Sequence, residues 1–454
     1  MSRKPQRARS RRTGASAVES AALESAEVGP FTITLLDVGV EQYGDAILCR
    51  FGPVSVLIDG AHPGNHRPTD GHPAIQDQLR PLLPQRDGAS VVTLLVVSHA
   101  HQDHIGCLPQ LVREGHLAAE WAIVADPDLG WGRTGKELAA PEVSPAALQI
   151  AEALREEPLV GSEPAEEKAL LEKGRSLDVE YRGMLEALAA KGTRVIPFQG
   201  SNHPSLLPLV RNLARRGVAM KVLGPSQRQV AACAEGISGG LKALSVEAEK
   251  ALQAEAAGGA GLETGAPKSP EDAQRDIYRR YASFFASETE KAGGLEAPGI
   301  PRVSNYVNLQ STVLMFEHRG RKILLTGDMQ LSDPQTRDPV VLQGMKFLLS
   351  AIRRNAPYDF LKMSHHGSDN GISADLLEVM GNPPLLGICA GTNSRHHPDE
   401  GTLDLLKSTL AGREVRWART DRNGQTTITF DGGDPTVTVS QGQLNDASPP
   451  GTRP

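Results

Sequence analysis

The stretch "SHAHQDHIG" (Ser98 to Gly106) sets three histidines and an aspartate within six positions, directly after the apolar run "VVTLLVV". An apolar run of that length, bounded by polar residues, reads as a buried strand. His99, His101, Asp103 and His104 therefore lie on the loop that leaves its end. Imidazole and carboxylate groups are good ligands for borderline dications such as zinc. His99 and His101, spaced i and i+2, can point one way while Asp103 and His104 turn toward a second ion, so one short loop can serve two metals. For a lone histidine, a solvated loop that caps nearby backbone is the better reading. Four such residues after a buried strand argue against it.

These residues need a scaffold, and composition bounds it. The chain has 454 residues and a formal net charge of −6, with 39% hydrophobic but only 4% aromatic residues. Leu, Val, Ile and Ala must therefore fill the core of one large domain with insertions, or of two domains. Cys49, Cys107, Cys233 and Cys389 stand far apart with no CxxC pair, which argues against a disulfide framework or a cysteine zinc site and for a reducing, cytoplasmic setting. No apolar stretch approaches the ~20 residues that span a bilayer, so no membrane partner is expected. Residues 1–29 are basic, lack the apolar segment of a secretory signal and read as a disordered tail. "GWGRTGKE" (Gly130 to Glu137) nearly spells a phosphate-binding loop. Glu137 stands where a magnesium-binding Ser or Thr belongs and Pro141 interrupts the helix that should follow, so nucleotide binding is not expected there.

Short β-branched runs broken by Gly, Pro and Asp predict strands in "FTITLLDVG", "DAILCRFG", "PVSVLIDG" and "EWAIVAD", with a helix in "PAIQDQLRPLL". About residues 130–300 read as a long, mainly helical insertion. Helices are expected in "SPAALQIAEALREE", "EEKALLEKG", "RGMLEALAAKG" and "SPEDAQRDIYRRYASFFASETEKA", strands in "TRVIPFQ" and "VAMKVLGPS", and a flexible Ala/Gly-rich loop at 254–268. Strand signals return in "STVLMFEH", "RKILLTGD", "YDFLKMS", "PLLGICAG", "EVRWART" and "QTTITFDGG", with helices in "SADLLEVMG" and "GTLDLLKSTLAG". The expected domain spans 30–440, followed by a second disordered tail at 441–454. Strands, then helices, then strands and helices again predict an α/β sandwich of two sheets inside helical layers.

His99, His101, Asp103 and His104 together spell HxHxDH, and through this motif the chain resembles the metallo-β-lactamase fold hydrolases. Asp59 in "VLIDG", Asp328 in "ILLTGD" and His366 in "SHHGS" match further motifs of that family in order. Within the family the chain is similar to the ComEC-type hydrolase domains of bacterial DNA uptake. The shared residues are "LLDVG…GDAIL" (Leu35 to Leu48), "NLQSTVLMF" (Asn308 to Phe316), "LKMSHHGS" (Leu361 to Ser368), "HHP" (His396 to Pro398) and "RTDRNGQTTI" (Arg419 to Ile428). The resemblance implies an αββα sandwich and two divalent ions, zinc or manganese. It places His99 and His101 on one ion, Asp103, His104 and His366 on the other, and Asp328 between them, with Asp59 orienting the histidine loop. The compact "DVGQGDA" of the subgroup is expanded here to "DVGVEQYGDA". Where many members carry a further histidine before the bridging aspartate, this chain has Asn308, and His203 is a distant candidate for the missing ligand.

Two adjacent dications make hydroxide available near neutral pH and clamp phosphoryl oxygens during in-line attack. Asp103, His365 and His397 are the catalytic candidates. The two histidines, unassigned as ligands, could stabilise the phosphorane or protonate the leaving oxygen. Lys362, Ser368 and Asn393 are candidate phosphate contacts, although Lys362 reads equally well as a solvated strand end. Arg353, Arg354, Arg395, Arg413, Arg416, Arg419 and Arg422 could track a phosphate backbone if they line the mouth of the site. The expected function is therefore a binuclear metal-dependent phosphodiesterase, foremost a DNA nuclease. The alternatives are a phosphodiesterase for small molecules, and a metal-stabilised regulatory subunit of a multi-protein defence system whose insertion binds a protein partner.

Overall fold

The computed structural model describes residues 30–132, 164–240 and 303–450, apart from 42, 395 and 410–412. The basic N-terminal tail, the loop at 254–268 and the helices expected at 144–157 and 269–292 lie outside the described residues.

Two sheets make up the centre. The first contains β1 (Phe31–Leu35), β2 (Ile47–Phe51), β3 (Val54–Ile58), β4 (Gln85–Arg86), β5 (Ala89–Val96), β6 (Leu117–Ala125) and β7 (Arg194–Phe198). It is completed by β14 (Thr426–Phe430) and β15 (Thr436–Val439), in the order β15-β14-β1-β2-β3-β5-β6-β7, with β4 against β5. The second sheet contains β8 (Ala219–Gly224), β9 (Val313–His318), β10 (Arg321–Leu325), β11 (Phe360–Lys362), β12 (Leu385–Ile388) and β13 (Arg416–Arg419), in the order β13-β12-β11-β10-β9-β8. From β3 through β7 the neighbours run parallel, as they do from β10 through β13.

Alternation along the strands decides the layering. On β3, Val56 and Ile58 enter one apolar core while Leu57 enters another; on β5, Leu94 and Val96 separate from Leu95 in the same way. On β10, Ile323 and Leu325 join Val56, Val96 and Phe360 between the sheets, whereas Leu324 faces outward with Met345, Leu348 and Ile352. Those three residues belong to the helix Pro339–Asn355, which starts where the Asp338 carboxylate accepts from the backbone of Val340 and Val341. Both faces of each sheet are thus apolar, as parallel strands covered by helices require. The result is the two-sheet sandwich with outer helices that the sequence predicts.

The strands expected in "TRVIPFQ" and "VAMKVLGPS", within the segment read as an insertion, are β7 and β8, the edge strands of the two sheets. Two expectations need correcting. The two helices expected in "EEKALLEKG" and "RGMLEALAAKG" are one, Pro164–Ala190. The described part of the segment read as a C-terminal tail, 441–450, is held in place. Asn445 accepts from the backbone N–H of Trp417, Arg419 donates to the carbonyls of Asp446 and Ser448, and Arg422 donates to that of Pro449. Among the described residues no helix is long and apolar enough to cross a membrane.

Arg419 is fully buried and grips Asp421 through two bonds, Nε to Oδ1 at 2.8 Å and Nη2 to Oδ2 at 2.6 Å. Arg419→Ala should cost on the order of 3–5 kcal/mol, because it strands a buried carboxylate and frees the C-terminal segment. Chemical denaturation should show the midpoint fall accordingly. An unchanged midpoint would mean the pair contributes nothing to stability.

Candidate metal centre

The carboxyl ends of the parallel strands meet at one edge of the sandwich, where open α/β sheets carry their ligand sites. Asp59 follows β3, the histidine loop follows β5, Asp328 follows β10, and His365 and His366 follow β11. Three loops are laced together there. Asp45 N–H donates to Asp103 O at 3.1 Å, Ala61 N–H to Asp45 O at 2.8 Å, and Gly60 N–H to His104 O at 2.8 Å. Gly106 sits at φ +50°, and a Cβ there would lie 2.1 Å from the carbonyl of Ala61 and 2.2 Å from that of Gly60. Only glycine lets the histidine loop press this closely against its neighbour.

Four ligand atoms converge. His366 Nε2 lies 3.0 Å from Asp103 Oδ2 and 3.2 Å from Asp328 Oδ2, and His104 Nε2 lies 3.2 Å from Asp328 Oδ2 and 3.6 Å from Asp103 Oδ2. Ligand atoms at ~2.0–2.2 Å around a tetrahedral ion stand about 3.3–3.6 Å apart, so these spacings suit one cation held in common. Beside this cage, His99 Nε2 and His101 Nδ1 are 3.1 Å apart, the separation of two ligands on one ion, and buried His101 Nε2 has no hydrogen-bond partner among the described residues. The remaining nitrogen of each cage histidine faces an acceptor. His104 Nδ1 lies 2.8 Å from Asp59 Oδ2, whose partner oxygen accepts the Ser98 N–H, and His366 Nδ1 lies 2.9 Å from the Cys389 carbonyl oxygen, with Asp45 Oδ1 3.3 Å away. Acceptors placed this way fix the tautomer that presents Nε2 to a metal. The chemistry of the donors fits a divalent ion.

Electrostatics divides the histidines into two kinds. Burial, and then the neighbouring His104, hold His99 well below its usual value; burial brings His101 down to about 4. Both are neutral, ready-made ligands. For His104 and His366 burial also opposes charge, but Asp328 and the other carboxylates outweigh it and raise both pKa values well above 6.5. Asp103 and Asp328 in turn are disfavoured by burial yet held well below the carboxylate range by these imidazoles.

His365 lies just beside the cage. Its Nδ1 is 2.8 Å from Asn370 Oδ1, and its Nε2 is 3.3 Å from Asn308 Nδ2 and 3.9 Å from Asp328 Oδ2. His397 packs against it, ring centroids 5.5 Å apart, with Asp399 Oδ1 3.6 Å from its Nδ1. Ser368 donates to Asp399. Lys362 is no solvated strand end. It is fully buried, paired with Asp45 and 3.7 Å from Asp328 Oδ1. Asn393 is exposed. His203 bonds Ser205 at the start of the turn Pro204–Leu206 and belongs to neither group of buried residues suited to an ion. Arg419 and Arg422 are buried against the C-terminal segment, so they line no surface track. Sequence reasoning missed Asp45. Its position in "GDA" after the first strand is the available signal, but its partners His366 and Lys362 lie more than 300 residues further on.

No family model matches the chain, and no curated protein matches its sequence. Among solved structures it is similar to Igni18, a metallo hydrolase from the hyperthermophilic archaeon Ignicoccus hospitalis, at 10% identity over 88% of this chain and 98% of that one, with a TM-score of 0.33. It is also similar to a mutant of the CmlA beta-hydroxylase, at 11% identity over 92% of this chain and 61% of that one, with a TM-score of 0.35. At such scores the functional assignment must come from the residues themselves.

Protons and metal compete for His104 Nε2 and His366 Nε2. In chelator-treated protein both folded-state pKa values exceed the unfolded value near 6.5, so their stabilisation is complete below about pH 6.5 and lost as pH rises through the folded values. Thermal melts should therefore show the metal-free protein weakening as the solution turns alkaline, and added zinc raising Tm more at high pH than at pH 6. A metal-induced shift that is larger in acid would contradict this assignment.

Proposed function

We propose that the chain is a binuclear metal-dependent phosphodiesterase, with DNA as its foremost substrate. The observation that carries this reading is the four-atom cage of Asp103, His104, Asp328 and His366 beside the neutral pair His99 and His101. The cage would hold one dication and the pair the other, with Asp328 between them. A mixed nitrogen and oxygen donor set accepts zinc or manganese. Bound there, two divalent ions would supply hydroxide near neutral pH and draw charge from the phosphoryl oxygens.

The chain's own residues account for the rest. Asp59 and the Cys389 carbonyl keep His104 and His366 in the tautomer that binds metal. His365 stands at the edge of the cage, its Nδ1 donating to Asn370 Oδ1 and its Nε2 accepting from Asn308 Nδ2. His397, backed by Asp399, is assigned to protonate the leaving oxygen. Lys362 offsets buried negative charge and is not a phosphate contact.

A second reading, a small-molecule phosphodiesterase, has one observation in its favour: Arg419 and Arg422, read from sequence as part of a phosphate track, are committed to internal bonds. Purified protein loaded with zinc or manganese should be assayed on single- and double-stranded DNA, RNA and a chromogenic phosphodiester. Turnover of the chromogenic ester alone selects the second reading. No turnover on any substrate, with metals retained, would favour a regulatory subunit.

Asp328→Ala should abolish hydrolysis and lower bound metal measured by elemental analysis, because one carboxylate serves both ions. Wild-type turnover with two retained metals would remove that role. His397→Ala should leave metal content near wild type while slowing turnover on the order of 10²-fold. Metal lost in proportion to activity would instead make His397 a ligand.

A further inference from the structure

Tyr43 is 3% exposed, yet its ring belongs to neither apolar core. Two imidazoles pack against its ring. It stacks on His366 with centroids 5.6 Å apart and planes inclined by 23°, and meets His397 edge-on at 5.2 Å and 61°. His397 itself sits on an arm in which the described residues, 391–394 and 396–399, form no regular secondary structure. The loop carrying Tyr43 straps that arm down. Thr392 N–H donates to Gly39 O at 3.0 Å, and Gly391 lies so close to Glu41 that an added Cβ would come within 1.8 Å of its carbonyl oxygen. The same loop also reaches toward the histidine loop. Glu41 Oε1 lies 3.1 Å from His62 Nδ1, and His62 Nε2 lies 3.0 Å from Gln102 Nε2, one residue before Asp103. Residues 39–41 and 43 therefore touch both sides of the centre.

We infer that Tyr43 is the positioning residue for His397, setting the ring that acts on the leaving oxygen; the role of that ring rests on the phosphodiesterase reading above. An aromatic face favours particular approach angles for a neighbouring ring and stabilises an imidazolium over a neutral ring. An aliphatic side chain of similar bulk would fill the space but hold no orientation.

The test uses full-length, metal-loaded protein. Tyr43→Leu keeps an apolar side chain in the gap and removes the ring, while Tyr43→Phe restores it. Tyr43→Leu should retain its metal and slow turnover of a chromogenic phosphodiester on the order of 10- to 100-fold, in kcat more than in KM, as misplacement of a reacting group does. Tyr43→Phe should recover most of that loss. In a His397→Ala background, Tyr43→Leu should change the rate by no more than about two-fold, since coupled residues do not add. Independently of activity, the His397 imidazole resonances should move in Tyr43→Leu and return in Tyr43→Phe. Equal losses in both backgrounds, metal lost along with activity, or unmoved His397 resonances would each overturn the inference. If His397→Ala is itself silent, the assignment of His397 to the leaving oxygen fails, and the resonances alone decide whether Tyr43 positions the ring.

Discussion

Everything at the centre follows from one constraint: Asp45, Asp59, Asp103 and Asp328 are buried together, with Lys362 paired to Asp45 and 3.7 Å from Asp328 Oδ1. An uncompensated carboxylate in a protein interior costs several kcal/mol, and four together are untenable without balancing charge. One ammonium is too little. Burial raises the pKa of Asp59, and the remainder is met by protons on His104 and His366 or by cations that displace those protons. The raised pKa values of these two histidines and the depressed ones of Asp103 and Asp328 express the same demand from both sides. A pocket that fills itself with protons when nothing else is available is a pocket selected for positive charge.

The fold meets this constraint by topology. Residues that are distant in sequence, following β3, β5, β10 and β11, project from aligned strand ends because parallel pairing places Ile58 level with Val96 and Leu324 level with Leu361. The inter-sheet core of Val56, Val96, Ile323 and Phe360 fixes the two sheets against each other, so the ligand spacings are inherited from rigid packing below them. The glycine at 106 and the Asp45–Asp103 backbone bond then transmit that rigidity to the loops.

How much of this was legible in the sequence depended on distance along the chain. His99, His101, Asp103 and His104 announce themselves because they are adjacent, and Asp328 and His366 because each ends a clear apolar strand. Asp45 stayed hidden because a lone aspartate in a turn has a bland reading until His366 and Lys362 are seen beside it. Lys362 misled for the same reason, since a lysine closing a strand is ordinarily solvated. Arg419 looked like surface charge, although Asp421 only two residues later was a partner within reach. The edge strands β7 and β8 were legible as strands but not as members of the two sheets, and β15 was missed, because its alternate residues face solvent and the dense apolar run that marks β3 or β5 is absent.

The backbone at His365 and His366 supplies an independent argument that this centre acts on something. Both residues are left-handed, at φ +51° and +50°, followed by Gly367 at +82°. Each of the two histidines gives up about 1–2 kcal/mol relative to an ordinary conformation. In an extended strand consecutive side chains point to opposite faces, so a regular continuation of β11 would send one ring away from the pocket. The left-handed pair instead brings both rings to the same side, 6.2 Å apart, one in the cage and the other at its edge. Metal binding alone would need His366 and not His365. Strain of this kind persists where the surrounding structure enforces it and clusters at functional sites. His365 lies outside the four-atom cage, and under the phosphodiesterase reading this is where the strained histidine would meet a substrate.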